Sequence, residues 1–185
     1  MSGQLRIIGG DWRGRRLPVS AAPGLRPTAD RNRETLFNWL QSDVARARVL
    51  DLFAGTGALG LEALSRGAAA ATFVERSRPV ARALNDLINR LEASHRARVV
   101  TADARRYLRT EPVAFDLVFL DPPFNSDLLD ESLDRLRQGG WLAANARVYI
   151  ESRDRRRPPL DPAAWDCERE KTAGDVWFAL LRRSR

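Results

Sequence analysis

From Arg48 onward, short apolar strands alternate with helical segments. A glycine-rich loop follows the first of those strands, and two strands lie close together near the C-terminus. These three observations predict an α/β fold. Strand-helix alternation implies parallel strands joined by right-handed crossovers. The terminal pair implies an antiparallel hairpin at one edge of a mostly parallel sheet. In such sheets, ligands collect beyond the carboxyl ends of the strands.

Each element carries its own signal. Residues 4–8 and 12–19 flank Gly9-Gly10 and read as an N-terminal β-hairpin with a glycine turn. SAAPGLRP, residues 20–27, reads as a connector. Thr28 resembles a helix cap after Pro27, with Asp30 favourable in the first turn. Leu36, Phe37, Leu40 and Val44 then recur at helical spacing. RVLDLF (48–53) is a predicted strand and 58–66 a helix; 70–75 is a strand and 79–91 a helix. Residues 97–101 form a strand before a short helix at 104–108, and 115–120 a strand before a helix at 128–136. Gly139-Gly140 breaks the chain ahead of a strand at 147–151. The last strands, 165–170 and 176–181, turn at Ala173-Gly174-Asp175.

The bulk properties narrow the function. At 185 residues and 44% hydrophobic, the chain suits one compact domain with a small extension. No run approaches the ~18 apolar residues that cross a bilayer. The N-terminus has no signal segment, which predicts a cytoplasmic protein. One cysteine, Cys167, and one histidine, His95, exclude an internal disulfide and a zinc cluster, so no metal is expected. They read as a packing thiol and a surface imidazole. The net charge is +7, and residues 1–48 hold nine arginines against four acids. A polyanionic partner suits that excess; a merely solvated basic surface is the competing reading.

DLFAGTGALG (51–60) places Gly55, Gly57 and Gly60 as G-x-G-x-x-G between a strand and a helix. Glycines there allow tight turning and close backbone approach to a ligand. This makes the fold Rossmann-like. Glu75 lies twenty residues beyond Gly55 at the next strand end, where a carboxylate can bind ribose hydroxyls. A dinucleotide and S-adenosylmethionine both carry an adenosine and satisfy this much. Asp51 separates them, because a buried acid beside the loop repels phosphate and suits a sulfonium. Asp103 can meet the adenine amino edge, or can simply cap the helix that follows it. Asp51, Glu75, Asp103 and Asp121 thus end four successive strands.

Asp121, Pro122, Pro123 and Phe124 follow a strand that reads as buried on both faces. [DN]-P-P-[FY] in that position is the signature of enzymes that methylate exocyclic amines. Such an amine is a poor nucleophile, since its lone pair is delocalised into the ring. Asp121 supplies an acceptor, proline lets a carbonyl turn inward at fixed φ, and Phe124 offers a face on which an extruded base can stack. Adenine N6, cytosine N4 and guanine N2 all fit. A glutamine side-chain amide is handled similarly, usually with Asn and Tyr in the outer positions.

RIIGGDWRGRRL (6–17), GLRPTADRNRETLFNWL (24–40), DLFAGTGALGLEALSRGA (51–68) and FDLVFLDPPF (115–124) together resemble the RsmD family, bacterial small-subunit rRNA guanine-N2 methyltransferases. Beyond residue 125 the similarity is mainly one of pattern, through VYIE (148–151) and the final hairpin. The resemblance implies a class I S-adenosylmethionine-dependent fold with a seven-stranded sheet. Residues 1–27 would be a basic hairpin extension and connector, and 28–185 the methyltransferase domain. It implies methylation of one guanine in 16S rRNA, within the assembled 30S subunit, by a monomer. It places the cofactor against Asp51, Phe53, Gly55, Thr56, Gly57, Glu75, Arg76, Asp103, Ala104 and Asp121, with the target base at Asp121, Pro122, Pro123 and Phe124. Arg13, Arg15 and Arg16 flank Trp12, and Arg26, Arg31 and Arg33 follow; such a ribbon suits RNA backbone. In the competing reading, Trp12 anchors the hairpin to the core. Trp39, Trp141, Trp165 and Trp177 read as core, and DRRRPP (154–159) as a solvated loop. Alternative functions are a DNA or other RNA amino-methyltransferase, a nicotinamide-dependent oxidoreductase, and a non-catalytic RNA-binding module.

Overall fold

The computed structural model describes residues 3–19, 30–123, 127–153 and 157–184. Two strands, β1 (Gly3–Arg6) and β2 (Arg16–Val19), form the N-terminal hairpin, followed by α1 (Asp30–Trp39). The alternating part comprises β3 (Arg48–Asp51), α2 (Ala58–Ser65), β4 (Ala70–Glu75), α3 (Arg78–Arg90), β5 (Ala97–Thr101), α4 (Ala104–Tyr107), β6 (Phe115–Leu120) and α5 (Leu128–Gln138). It closes with β7 (Leu142–Arg153), β8 (Trp165–Ala173) and β9 (Val176–Arg183). The seven-stranded sheet has the order β5-β4-β3-β6-β7-β9-β8. β5 to β7 are parallel; β9 runs antiparallel to β7, and β8 to β9. This is the sheet of the class I methyltransferase fold.

Side chains alternate across the strands and build one core on each face. Val49, Phe73, Leu117, Phe119, Tyr149 and Phe178 pack beneath α1, α2 and α3. Leu50, Val74, Val118, Leu120, Ile150 and Leu181 pack beneath α4 and α5. The one acid inside β6, Asp116, is half-buried and accepts a hydrogen bond from the Arg48 amide at 2.8 Å, tying β6 to the start of β3. All eight residues of α2 are buried, because the sheet and the N-terminal segment enclose it.

The N-terminal segment differs from the expected tight hairpin. The strands pair from Gly3↔Val19 to Arg6↔Arg16, and residues 7–15 form a long loop in which Gly9-Gly10 is not the turn. The loop lies on the C-terminal half of α2. Glu62, fully buried, accepts from the Ile8 and Gly9 amides at 2.9 and 2.8 Å and from Arg66 Nε at 2.7 Å. Arg33 NH1 lies 3.8 Å from the same carboxylate. Ser65 Oγ accepts from the Trp12 amide and donates to the Gly9 carbonyl, while the Ser65 carbonyl accepts from the Asp11 amide. Gly10 has φ 76°, and a Cβ there would fall 1.8 Å from the Ser65 carbonyl oxygen. The glycines permit this contact, not a tight turn. Trp12 is buried, with the Arg96 guanidinium 5.2 Å from its ring, so the core-anchor reading of Trp12 is the observed one.

Two other expectations change. β7 starts at Leu142, not near Arg147, and joins β6 through a register shift between Phe115 and Leu117. Arg33 is fully buried, donating to Asp30 at 2.6 Å and to the Arg6 carbonyl at 2.7 Å; it cannot reach RNA. The Thr28 cap lies outside the described residues. Edge strand β8 exposes Glu168, Arg169, Glu170 and Lys171, a charged edge that resists pairing with another chain. No helix among the described residues is long and apolar enough to cross a membrane.

Removing the Glu62 carboxylate strands a buried guanidinium and two backbone amides. Glu62→Ala is expected to lower unfolding free energy by about 3–5 kcal/mol, measured by urea titration. It should also raise hydrogen exchange at the Ile8 and Gly9 amides.

Candidate active site

The crevice forms where β3 and its neighbours end. Asp51 closes β3 and is buried; its Oδ2 accepts from the Gly60 amide at 3.1 Å. Gly60 itself lies against β4, where a Cβ would come within 2.2 Å of the Phe73 ring. The third glycine of the motif therefore sets helix-to-strand packing. Gly57, at φ 78°, caps the start of α2. Glu75 closes β4. Its Oε2 accepts from the Gly55 amide at 3.0 Å and its Oε1 from the Ser77 amide at 2.7 Å. The glycine loop is thereby strapped between two carboxylates from adjacent strands. Each carboxylate oxygen has more than one lone pair, so Glu75 retains acceptor capacity for hydroxyls.

Electrostatics reflects this convergence. The Asp51 carboxyl is pushed up to about 7, first by burial and then by the charges of Asp121 and Glu75, against the lowering effect of the Gly60 hydrogen bond. Three acids from β3, β4 and the end of β6 therefore act on one volume. Burial disfavours charge of either sign, and it is the neighbouring charges of Asp121 and Glu75 that favour a cation here and disfavour a phosphate. This fits the methyl-sulfonium of S-adenosylmethionine and not the pyrophosphate of a dinucleotide.

The remaining predicted residues are placed as follows. Gly55, Thr56 and Phe53 are half-buried around the loop, and Arg76 is exposed beyond Glu75. Asp103 caps α4, accepting from the Arg105 amide at 2.9 Å, so its helix-cap role is observed. It remains exposed, with Ala104 buried behind it. Asp121 is half-buried, Pro122 buried and Pro123 exposed; Phe124 lies outside the described residues, as does Arg26. Arg13, Arg15, Arg16 and Arg31 are exposed. The structure places the loop bearing Arg13 and Arg15 away from the glycine loop. The glycine loop sits at the N-terminal end of α2 and the loop bearing Arg13 and Arg15 at its C-terminal end, about 12 Å away along an eight-residue helix.

Sequence reasoning missed Glu62, Ser65 and the pair Tyr149 and Glu151. Tyr149 is fully buried and donates to Glu151 Oε1 at 2.7 Å; Glu151 is buried too. An acid at the end of an apolar strand, as in VYIE, was the available signal. Among the described residues no group of acids, histidines and cysteines is arranged to hold a metal ion.

The family model described as conserved hypothetical protein 95 matches residues 5–182. The chain is 51% identical over 182 residues to ribosomal RNA small subunit methyltransferase D of Escherichia coli (strain K12), covering 98% of this chain and 91% of the relative. It is 43% identical over 184 residues to the Haemophilus influenzae protein of the same name, covering 97% and 94%. The solved structure of Escherichia coli yhhF superposes with a TM-score of 0.90 at 49% identity over 98% of each chain.

The raised Asp51 has a measurable consequence. The folded state keeps a proton on Asp51 that the unfolded chain releases, so the contribution of Asp51 to stability is greatest below about pH 4, falls as pH rises toward about 7, and is flat above. Asp51→Asn should remove that slope, a difference of roughly 4 kcal/mol across the window. Urea titrations of both proteins at both ends of the window measure it.

Proposed function

The chain belongs to the ribosomal RNA small subunit methyltransferase D family, and from that premise we propose that it methylates the N2 amine of one guanine in small-subunit rRNA. The donor is S-adenosylmethionine, and the enzyme acts as a cytoplasmic monomer on the assembled small subunit. The observation that carries the reading is the convergence of Asp51, Glu75 and Asp121 on one crevice at the end of β3, β4 and β6.

In this reading Glu75 accepts the ribose hydroxyls, and the loop from Phe53 to Gly57 passes along the donor. Arg76, Asp103 and Ala104 border the adenosine. When bound, S-adenosylmethionine supplies an electrophilic methyl group and departs as the neutral thioether. Asp121 and the Pro122 carbonyl accept from the amine, draw its lone pair out of conjugation and hold it in line. An amine that has accepted the methyl group would carry one proton too many, for which Asp121 is the adjacent acceptor. Holding the two reactants in register supplies most of the rate, since correct orientation is worth about 7–11 kcal/mol. Phe124 stacks on the extruded base. Arg31 meets backbone beside the crevice, while Arg13, Arg15 and Arg16 grip RNA farther away, on the side of the hairpin loop.

Asp121→Ala should lower methyl transfer to small subunits at least about a hundredfold while weakening donor binding, read by calorimetry, far less. Full activity in that variant would remove Asp121 from the mechanism. Labelled donor offered to small subunits, naked rRNA and duplex DNA should mark the first alone. Arg15→Ala and Arg16→Ala should each flatten the salt dependence of RNA binding by about one unit of slope, and an unchanged slope would assign the grip elsewhere.

A further inference from the structure

Beyond the acids used above, the crevice contains one more. Leu120 pairs with Ile150 across β6 and β7, so Asp121, just past the end of β6, lies beside Glu151, which β7 carries two residues before its own end. Strands in a sheet lie about 4.8 Å apart. Side-chain alternation puts both acids on the face shared by Phe119 and Tyr149, not on the face of Leu120 and Ile150. Glu151 is 5% exposed and is seated by the fully buried Tyr149, whose hydroxyl donates to it at 2.7 Å. The Tyr149 hydroxyl is held well above its ordinary range by burial, by the charge and hydrogen bond of Glu151, and by the charge of Asp121. Both carboxylates therefore flank one phenol. A buried acid with a dedicated buried donor is a costly arrangement inside a strand, where an apolar residue would pack at no such cost.

Base chemistry gives this acid a role. The Watson–Crick edge of guanine presents two adjacent donors, the ring N1–H and the N2 amine. Adenine and cytosine present an acceptor nitrogen beside their amines. Two carboxylates one strand apart match a run of two donors, whereas a carboxylate facing a ring acceptor is repelled. We propose that Glu151 accepts the N1–H of the target guanine while Asp121 accepts from its N2 amine, which makes Glu151 the residue that selects guanine over the other amino-bearing bases. Tyr149 is its positioning residue. The inference rests on the proposed guanine-N2 reading and deepens it.

The test compares two bases in one enzyme. 2-Aminopurine keeps the 2-amine of guanine and replaces the N1–H donor with an acceptor nitrogen. Small subunits are reconstituted with rRNA carrying either base at the mapped target position, and kcat/KM is measured for each. Wild-type enzyme should prefer guanine by about tenfold or more, the worth of one hydrogen bond to a charged group. Glu151→Gln, which can donate to an acceptor nitrogen, should lose most of that preference, chiefly by losing activity on guanine. General damage to the fold would lower both rates together and leave their ratio alone. Glu151→Leu, near in volume and free of charge, repeats the measurement should the amide disturb packing. An unchanged ratio in both variants overturns the assignment. No N2-methylguanine from the wild-type enzyme would instead overturn the guanine reading itself.

Discussion

A carboxylate removed from water must be met by donors, and that requirement at Glu62 fixes the relation between the N-terminal segment and the rest of the molecule. Its donors are two backbone amides of the 7–15 loop and the Arg66 guanidinium, with Arg33 from α1 close by. None can be withdrawn cheaply, since an uncompensated buried charge costs several kcal/mol. Ser65, one turn on, repeats the arrangement with neutral groups. The loop is therefore a fixed part of the body. Its apolar residues Ile7 and Trp12, with Leu17 of β2, belong to the same core as α1, α2 and α3.

The same helix governs the other end. Gly60 donates to Asp51 and packs on Phe73, two residues before Glu62 turns toward the hairpin loop. α2 is short and wholly buried, held near its start by the Asp51 side chain and near its end through its own Glu62 and Ser65 side chains. Displacing the hairpin loop would have to move or unpair the helix that begins with the cofactor loop. A rigid spacer of this kind would set a fixed distance between the proposed RNA contact and the reacting amine, and fixed geometry is what an in-line displacement needs.

Much of this was legible in the sequence, and the failures have physical causes. Strand-helix alternation, the glycine loop and the terminal hairpin gave the sheet, because apolar periodicity and glycine placement are local signals. The acids at the ends of β3, β4 and β6 were visible for the same reason: a charge directly after an apolar strand has few structural explanations. Gly9-Gly10 misled, since a glycine pair that permits a turn also permits close approach, and only the partner surface of Ser65 decides between them. Arg33 looked like its exposed neighbour Arg31, yet it is buried by a contact with Glu62, 29 positions away. The early start of β7 was hidden in LAANA, whose residues favour strand only weakly.

The sign of the charge also changes between the outside of the molecule and the crevice, although the chain carries +7 overall. Arg31, Arg76, Arg78 and Arg106 are exposed at or near the starts of α1, α3 and α4, with Arg13, Arg15 and Arg16 on the hairpin. The floor carries Asp51, Glu75, Asp121 and Glu151. A unit charge 4 Å from such an acid, near a protein surface, meets about 4 kcal/mol. A phosphate at the floor is repelled by several acids at once, while the same phosphate is attracted on the outside. A neutral base whose edge offers donors meets no such barrier. In the proposed reading the backbone is thus kept out by the same acids that receive the base, so an RNA would occupy the crevice productively only with a nucleotide turned out of its stack. Selectivity for an extruded base would then follow from where the carboxylates sit.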